Sequence, residues 1–551
     1  MFKEIEFQAK EIISKCLEDI GVKIDIPIEE SNKEFGDVST SICFSLAKTL
    51  KKSPKELAEE IAKKAKPFGY IKEIKALNGY INFYIDYEKL CKELFDRIDR
   101  EDYGREKKNG RKIILEHTSA NPDGPLHIGH GRNAIIGDTL ARILKFYGFR
   151  VETQFYINDM GKQLAIVVFG LRRFKLDKNK KKDHAIAEVY IKANRILEET
   201  PELHKEVVQL MRGYEKGKYE KEFKYAVNFC LDGIKQTLRE LNIKIDKFVW
   251  ESEFVRSSKV EKIVKKLKET KYARQNDALY LDLSEFGIDK ELFLTRSDGT
   301  FLYTTRDIAY HCWKAELGRV IDILGADHKL VANQIKAVMR ILGKEEPEII
   351  IYEFISLPEG SMSTRKGKFI TLDDLIRESI KRAHEEVNKR RRGEEELKKK
   401  IARCIGIGAV RFNIIRVSPE KPLIFRWEDA LNFEKQGVTF VLYAHARACR
   451  ILEKAKLEGN LEEGKLTDNE KRIIKLLAKF PKIIEKSALE RKPNIVANYA
   501  IELAEAFHRF YRYDRVLNSN RKNFRLKLTK ATKKILATCL ELLGIEPLEM
   551  M

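Results

Sequence analysis

The stretch from Ile113 to Tyr156 constrains this chain more than any other. Ile113-Ile114-Leu115 is a short apolar run with β-branched residues and reads as a buried strand. Ile135, Ile136, Thr139, Leu140, Ile143, Leu144 and Tyr147 then recur at helical spacing, and Gly148 stops the helix where a C-terminal glycine is expected. Val151 to Ile157 resumes an apolar, extended pattern, so the unit is strand, glycine-rich loop, helix, strand. In such βαβ units ligands bind outside the carboxyl ends of the strands, where a helix N-terminus offers unpaired N–H groups and partial positive charge to phosphate. Pro122, Gly124 and Pro125 bend the loop, and Gly129 lacks a Cβ that would hold a flat ligand away from the backbone. His127 and His130 lie three apart at the helix start, so both imidazoles can face one anion and donate hydrogen bonds to a triphosphate.

His127-Ile128-Gly129-His130 in this setting resembles the HIGH signature of class I aminoacyl-tRNA synthetases. The wider string from Ser119 to Arg132, and Tyr156-Ile157-Asn158-Asp159-Met160-Gly161-Lys162-Gln163, resemble the arginyl version of that family. The resemblance implies an α/β fold: a Rossmann-like parallel-sheet catalytic domain, an N-terminal α+β domain and a C-terminal all-α anticodon-binding bundle. It also implies ATP, Mg2+ carried with the nucleotide, L-arginine and tRNA(Arg) as ligands, and a requirement for tRNA before arginine is activated.

Composition agrees in outline. Lys and Arg number 106 against 85 Asp and Glu, a net charge of +21, which suits a polyanionic partner and equally a Lys-rich solvated surface. The eight cysteines stand singly, which argues against a zinc site or a disulfide framework and fits a reducing cytoplasm. No run has the length and apolarity of a membrane span, and residues 1–6 lack a signal-peptide core. A cytoplasmic monomer with no membrane attachment, no zinc and no protein-bound metal is expected.

Residues 1–110 read as a separate module with helices at 5–17, 39–50 and 53–65, a strand at 22–28, and strands 71–77 and 80–85 joined by the Asn78-Gly79 turn. The polar stretch 100–110 reads as a linker. The catalytic domain is expected over 111–370, interrupted at about 176–290 by a helical insertion whose basic run Lys178 to Lys182 suits the acceptor end of tRNA or plain solvation. The nucleotide fold is expected to resume at Leu292, with strands 320–324 and 349–357. Residues 371–435 read as a helical linker touching the tRNA stem, and 436–551 as a helical bundle with apolar stripes and interleaved Arg509, Arg512 and Arg515.

Site residues follow from these placements. Tyr303 and Asp307, four apart on one helix, match the family's arginine-recognition pair, because a guanidinium needs a carboxylate and gains from a neighbouring hydroxyl. By resemblance Ser119 and Asn121, with Asn158 or Asp159, hold the amino acid's α-groups, and Gln334 lines its pocket. Gly325, Asp327 and His328 follow the strand at 320–324 and, with Pro125, Leu126 and Gly129, are expected at the nucleotide. Ser361-Met362-Ser363-Thr364-Arg365-Lys366-Gly367-Lys368 stands in the place of the second class I signature, KMSKS, but both its lysines are replaced, by Ser361 and Thr364. Met362, Ser363 and Arg365 are expected at ATP and Lys366 as the catalytic cation, with Lys112 as a substitute. Tyr443, Tyr511 and Met551 are the expected tRNA contacts. A class I synthetase for another amino acid, or a related nucleotidyltransferase that does not act on tRNA, is the alternative reading.

Overall fold

A computed structural model describes residues 1–18, 21–31, 35–106, 110–356, 371–431 and 437–551. Five parallel strands form the central sheet: β1 (Ile113–Glu116), β2 (Val151–Ile157), β3 (Lys247–Trp250), β4 (Arg319–Gly325) and β5 (Glu348–Tyr352). Their spatial order is β5-β4-β1-β2-β3, so the chain builds outward from β1 on one side and then crosses to fill the other. The crevice between β1 and β4 is therefore the switch point at which open α/β sheets bind ligands. The apolar runs that read as buried strands lie within it, with Ile113, Ile114, Leu115, Ile321 and Ile323 all buried.

Helix α1 (Ile128–Tyr147) follows β1 and is buried along almost its whole length. It ends at Gly148, whose φ of 117° no side-chain-bearing residue adopts comfortably. Arg411, on the helix Glu395–Ile415, reaches α1 from the carboxyl side of the chain and is fully buried. It donates to Asp138 Oδ2 at 2.7 Å, to the Leu241 carbonyl at 2.7 Å and to the Leu543 carbonyl at 2.7 Å. Asp138 also accepts from Arg142 at 2.8 Å, and these two guanidinium groups hold its carboxyl below the usual range although burial pushes the other way. At the amino end of α1, Arg132 carries its buried charge to backbone carbonyls, donating to Glu353, Phe354, Pro419 and Lys421 at 2.6, 2.9, 3.2 and 2.7 Å.

The N-terminal module packs helices Phe2–Glu18, Ile42–Leu50, Pro54–Lys64 and Tyr87–Asp99 on a four-stranded antiparallel sheet. Its hairpin pairs Leu77 with Tyr80, and Asn78 and Gly79 both take positive φ, at 49° and 85°, as a tight two-residue turn requires. Ser53 caps the helix that begins at Pro54 through a capping box with Glu56. Residues 22–28 form no strand; only Glu29–Glu30 pairs, and Val38–Thr40 is a strand where a helix start was expected. The module rests on the C-terminal bundle through acid–lysine pairs, among them Glu30 with Lys475 and Lys479 and Asp99 with Lys527. That bundle consists of helices Val438–Lys454, Asp468–Glu490, Asn494–Tyr513 and Lys522–Leu542.

Two expectations for the middle of the chain need correction. The nucleotide fold does not wait until Leu292, since Lys247–Trp250 is the edge strand β3 and pairs with β2. The run after β5 does not continue the sheet either; Ile355–Ser356 turns away and pairs with Leu423–Ile424. Between β3 and β4 lies a three-stranded antiparallel sheet of Ala273–Gln275, Leu279–Leu281 and Leu292–Phe293. The helical insertion is present at Lys182–Glu199, His204–Glu215 and Glu220–Glu240. Within its basic run, Lys180, Lys181 and Lys182 are ion-paired to Glu188, Asp373 and Asp232, so solvated packing accounts for much of that charge. All eight cysteines are free and buried, and no helix among the described residues is long and apolar enough to cross a membrane.

Removing one partner of the pair beneath α1 strands the other in a dry interior. Asp138→Ala should lower stability by about 3–5 kcal/mol, seen as an earlier urea midpoint, and a midpoint matching the parent's would contradict that role for the pair.

Candidate active site

The first turn of α1 is capped by its own signature. His127 is the N-cap, and its Nδ1 accepts from the Gly129 N–H at 3.0 Å and the His130 N–H at 3.3 Å, while His130 Nδ1 faces the His127 N–H at 3.4 Å. The two rings stack with centroids 3.6 Å apart. Burial lowers the pKa of both; His130 falls to about 3, with His127 adding to the effect. Each ring is therefore neutral near pH 7, and because Nδ1 accepts, the proton sits on Nε2. This changes the expected chemistry of the helix N-terminus. The Gly129 and His130 N–H groups are not open to phosphate; they are engaged by an imidazole, whose Nε2–H becomes the outward donor.

The segment that returns after residue 370 is tied to the same place. Thr371 forms an antiparallel bridge with His127, and the Leu372 N–H donates to the Leu126 carbonyl at 2.7 Å. Gly131 permits this approach, since a Cβ there would meet Leu372 Cδ1 at 2.7 Å. Leu126 is 1% exposed, so its side chain belongs to the core and its carbonyl to this junction. Met362, Ser363, Arg365 and Lys366 lie outside the described residues. Lys112 does not suit the role of substitute cation, because it precedes β1 at the amino edge of the sheet and is ion-paired with Glu152.

Across the switch point, Gly325 ends β4 and opens the short turn Ala326–His328, with Asp327 and His328 exposed and 3.5 Å apart. Ser119, Asn121 and Asn158 are brought together with the loop after β2. Ser119 Oγ donates to Glu116 at 2.8 Å and accepts from the Tyr156 N–H at 3.0 Å; Asn158 donates to Asn121 Oδ1 at 3.1 Å, and Asn121 donates to Gln163 at 2.6 Å. Asp159 is held otherwise, accepting from the Tyr214 hydroxyl at 2.7 Å and the Ser252 N–H at 2.9 Å in a fully buried position. Of the two neighbours, Asn158 is the one whose amide joins the polar group at Asn121.

Tyr303 opens helix α2 (Tyr303–Leu317) and is 66% exposed, with Asp307 one turn on. Gln334 is buried and donates to the Lys290 carbonyl at 3.2 Å, so its amide is engaged with the small antiparallel sheet. A residue that the sequence reading missed feels the charge of Asp307. Glu251 directly follows β3, is 2% exposed, and has its Oε2 buried without a hydrogen-bond partner, as is the Tyr156 hydroxyl. Its Oε1 lies 3.5 Å from Arg306. Burial drives the Glu251 carboxyl up to about 7; Arg306 opposes this, and Asp159 and Asp307 add to it. Burial also raises the Tyr156 hydroxyl well above its ordinary value, with Glu251, Asp307 and Asp159 contributing. Buried polar atoms are nearly always paired; Arg306 serves Glu215 and the Oε1 side of Glu251, which leaves Glu251 Oε2 and the Tyr156 oxygen open to a donor. The signal was Phe248-Val249-Trp250-Glu251, an apolar run ending in an acid, hidden by assigning it to the insertion.

In the bundle, Tyr443, Tyr511 and Met551 do meet. With Arg447, Arg450 and Arg515 they line a cleft of about 410 Å³. Arg447 sits over both tyrosine rings, 4.4 and 4.1 Å from their centroids. Tyr499, Phe507 and Phe510 of the same stripe are core.

Three family models match the chain. That for tRNA synthetases class I (R), catalytic domain, matches residues 96–427; the arginyl tRNA synthetase N terminal domain matches 7–85; and the DALR anticodon binding domain matches 441–551. An arginine–tRNA ligase of Methanocaldococcus jannaschii is 55% identical over 97% of each chain, and one of Methanothermobacter thermautotrophicus is 46% identical over the whole of both. Among solved structures, Thermus thermophilus arginyl-tRNA synthetase superposes with a TM-score of 0.84 at 28% identity, covering 98% of this chain and 99% of its own.

Histidines kept neutral by burial bind fewer protons folded than unfolded, so they weaken the fold as pH falls below 6.5. His117, buried and lowered to about 4, and His130, lowered to about 3, should each remove up to about 1.4 kcal/mol per pH unit below that point. Comparing unfolding midpoints at pH 7 and 5, His130→Asn should show a shallower loss than the parent; an identical loss would refute the neutral, Nε2-protonated ring.

Proposed function

This chain belongs to the arginyl-tRNA synthetases and joins arginine to tRNA using ATP, and from that premise we propose that the crevice between β1 and β4 holds the nucleotide and the acidic pocket beyond β3 and α2 holds arginine. The observation that carries the second half is the pair of unpartnered buried acceptors, Glu251 Oε2 and the Tyr156 oxygen, close to Asp307. A guanidinium is planar, permanently charged and five times a donor, so a second one beside that of Arg306 can serve both open acceptors. Asp307 and Glu251 take the guanidinium, with Tyr303 at the mouth and Gln334 at the back. Ser119, Asn121 and Asn158 orient the α-amino and α-carboxylate groups. Lysine, with one compact ammonium, leaves one of the two carboxylates short of a donor, so a single polar site discriminates.

Arginine's carboxylate then attacks the α-phosphate of ATP and pyrophosphate leaves; a ribose hydroxyl at the end of tRNA then attacks the acyl carbon of the adenylate, loses its proton and expels AMP. His127 and His130 present Nε2–H groups to phosphate oxygens where negative charge grows, already oriented by their Nδ1 bonds. Pro125, Gly129, Gly325, Asp327 and His328 border the rest of the nucleotide. By their place in the second signature, Met362, Ser363 and Arg365 are assigned to ATP and Lys366 to the cation at the leaving pyrophosphate. Mg2+ carried with the nucleotide would add charge neutralisation on the phosphates, beside the histidine donors. In the bundle, Tyr443, Tyr511 and Met551 border a basic cleft suited to a splayed base of tRNA(Arg). The chain is taken as a cytoplasmic monomer.

The guanidinium pulls the Glu251 carboxyl down from about 7, so arginine binds with release of a proton and more weakly as pH falls below that value. Glu251→Gln should raise the arginine KM about 10- to 100-fold, leave the ATP KM nearly unchanged, and abolish the rise in arginine KM between pH 7.5 and 6. Unchanged arginine kinetics in this variant would remove Glu251 from the pocket.

A further inference from the structure

Behind Asp307 a line of buried polar groups continues that the arginine pocket itself does not use. His311, one turn further along α2, donates from Nδ1 to the Asp307 backbone carbonyl at 2.8 Å and lies 3.1 Å from Asp307 Oδ1. Its other nitrogen is 3.0 Å from Asp322 Oδ2 on β4. Lys314, with no exposed surface, donates to Asp322 Oδ1 and to Glu116 Oε2, both at 2.6 Å. Glu116 Oε1 in turn accepts from Ser119 Oγ at 2.8 Å. An unbroken path thus runs from Asp307 through His311, Asp322, Lys314 and Glu116 to Ser119. Its two ends are the groups assigned to the two ends of one substrate.

Glu116, His311 and Asp322 also offer atoms grouped as for a metal ion, but the Lys314 ammonium already stands among them, 3.3 Å from His311 Nε2. The cation of this cluster belongs to the chain. Burial and Lys314 both work against a charged His311, yet Asp307 and Asp322 outweigh them and push it up to about 10. Both ring N–H groups therefore donate at once, Nδ1–H to the Asp307 main-chain carbonyl with the Asp307 carboxylate alongside, and Nε2–H to the Asp322 carboxylate.

We propose that His311 is a positioning residue for arginine recognition, aiming Asp307 from behind and locking it at a fixed separation from Ser119. The path is stiff because its middle members, His311, Asp322 and Lys314, are buried and each is held by two partners. It gives the pocket a set length, so the guanidinium meets Asp307 only when the α-groups already meet Ser119. The proposal rests on the assignment of Asp307 to the guanidinium, and its test separates the two.

An asparagine at 311 places its amide nitrogen near the Nδ1 position and keeps the contact with Asp307; a glutamine places it near Nε2 and keeps only Asp322. In aminoacylation assays with tRNA present, His311→Gln should raise the arginine KM roughly tenfold or more, and His311→Asn by no more than about threefold, with ATP KM nearly constant in both. A merely structural histidine would not distinguish the two, so equal arginine KM values, or parallel changes in ATP KM, would overturn the proposal. Asp307→Asn is measured alongside. If it leaves arginine KM unchanged, the pocket assignment itself fails; if it raises KM while the His311 variants behave alike, only the positioning role fails. Should either His311 variant not fold, Asp322→Asn interrupts the same path one bond further on. A raised arginine KM with constant ATP KM supports the proposal there, and unchanged arginine kinetics overturns it.

Discussion

Two strands more than two hundred residues apart in the chain lie side by side, and the site depends on that adjacency. β1 and β4 pair in parallel, Arg319 with Ile113 through Asp322 with Glu116, so their carboxyl ends open into one crevice. The loop after β1 carries the paired histidines and the turn after β4 carries Gly325 and Asp327. Because the last paired residues, Glu116 and Asp322, share the Lys314 ammonium, the register of these strands is also fixed electrostatically. A slip of either strand by one residue would point its acid away from the shared cation and break the pocket together with the sheet.

The histidine pair shows how a local rule can yield to function. A helix N-terminus ordinarily leaves its first N–H groups to solvent, a capping oxygen or an anion. Here an imidazole takes that place, and the partial positive charge of the helix end is passed through the ring to Nε2, further from the backbone than an amide reaches. The arrangement trades a bare backbone nest for two donors that stand off the turn, which suits a bulky triphosphate.

Much of this was legible in the amino-acid order because the relevant signals are local. The βαβ unit, the helix stop at Gly148 and the Asn78-Gly79 hairpin rest on spacing and on backbone conformations that few residues adopt. The class of ligand was legible from His127 and His130. What escaped is long-range. β3 is only four residues long and sits amid helices, so neither its length nor its flanks distinguish it from insertion. Losing it concealed Glu251, whose meaning comes from standing at the carboxyl end of an edge strand. His311 and Lys314 read as ordinary residues of an amphipathic helix until β4 brings Asp322 against them. The basic run at 178–182 left two readings open, tRNA contact and solvated packing, because the carboxylate partners Asp373 and Asp232 are distant in sequence.

Arg132 and Arg411 clasp the amino end and the middle of the same helix. One reaches the carbonyls at 353, 354, 419 and 421, and the other the carbonyls at 241 and 543. Main-chain acceptors cannot be altered by replacing a side chain, so these grips tolerate sequence drift in the segments they hold while forbidding displacement of their backbones. The histidine turn and the anticodon bundle are thus mounted on one rigid spar, and cutting the gene between them would yield fragments that each carry half of a clamp rather than two independent modules.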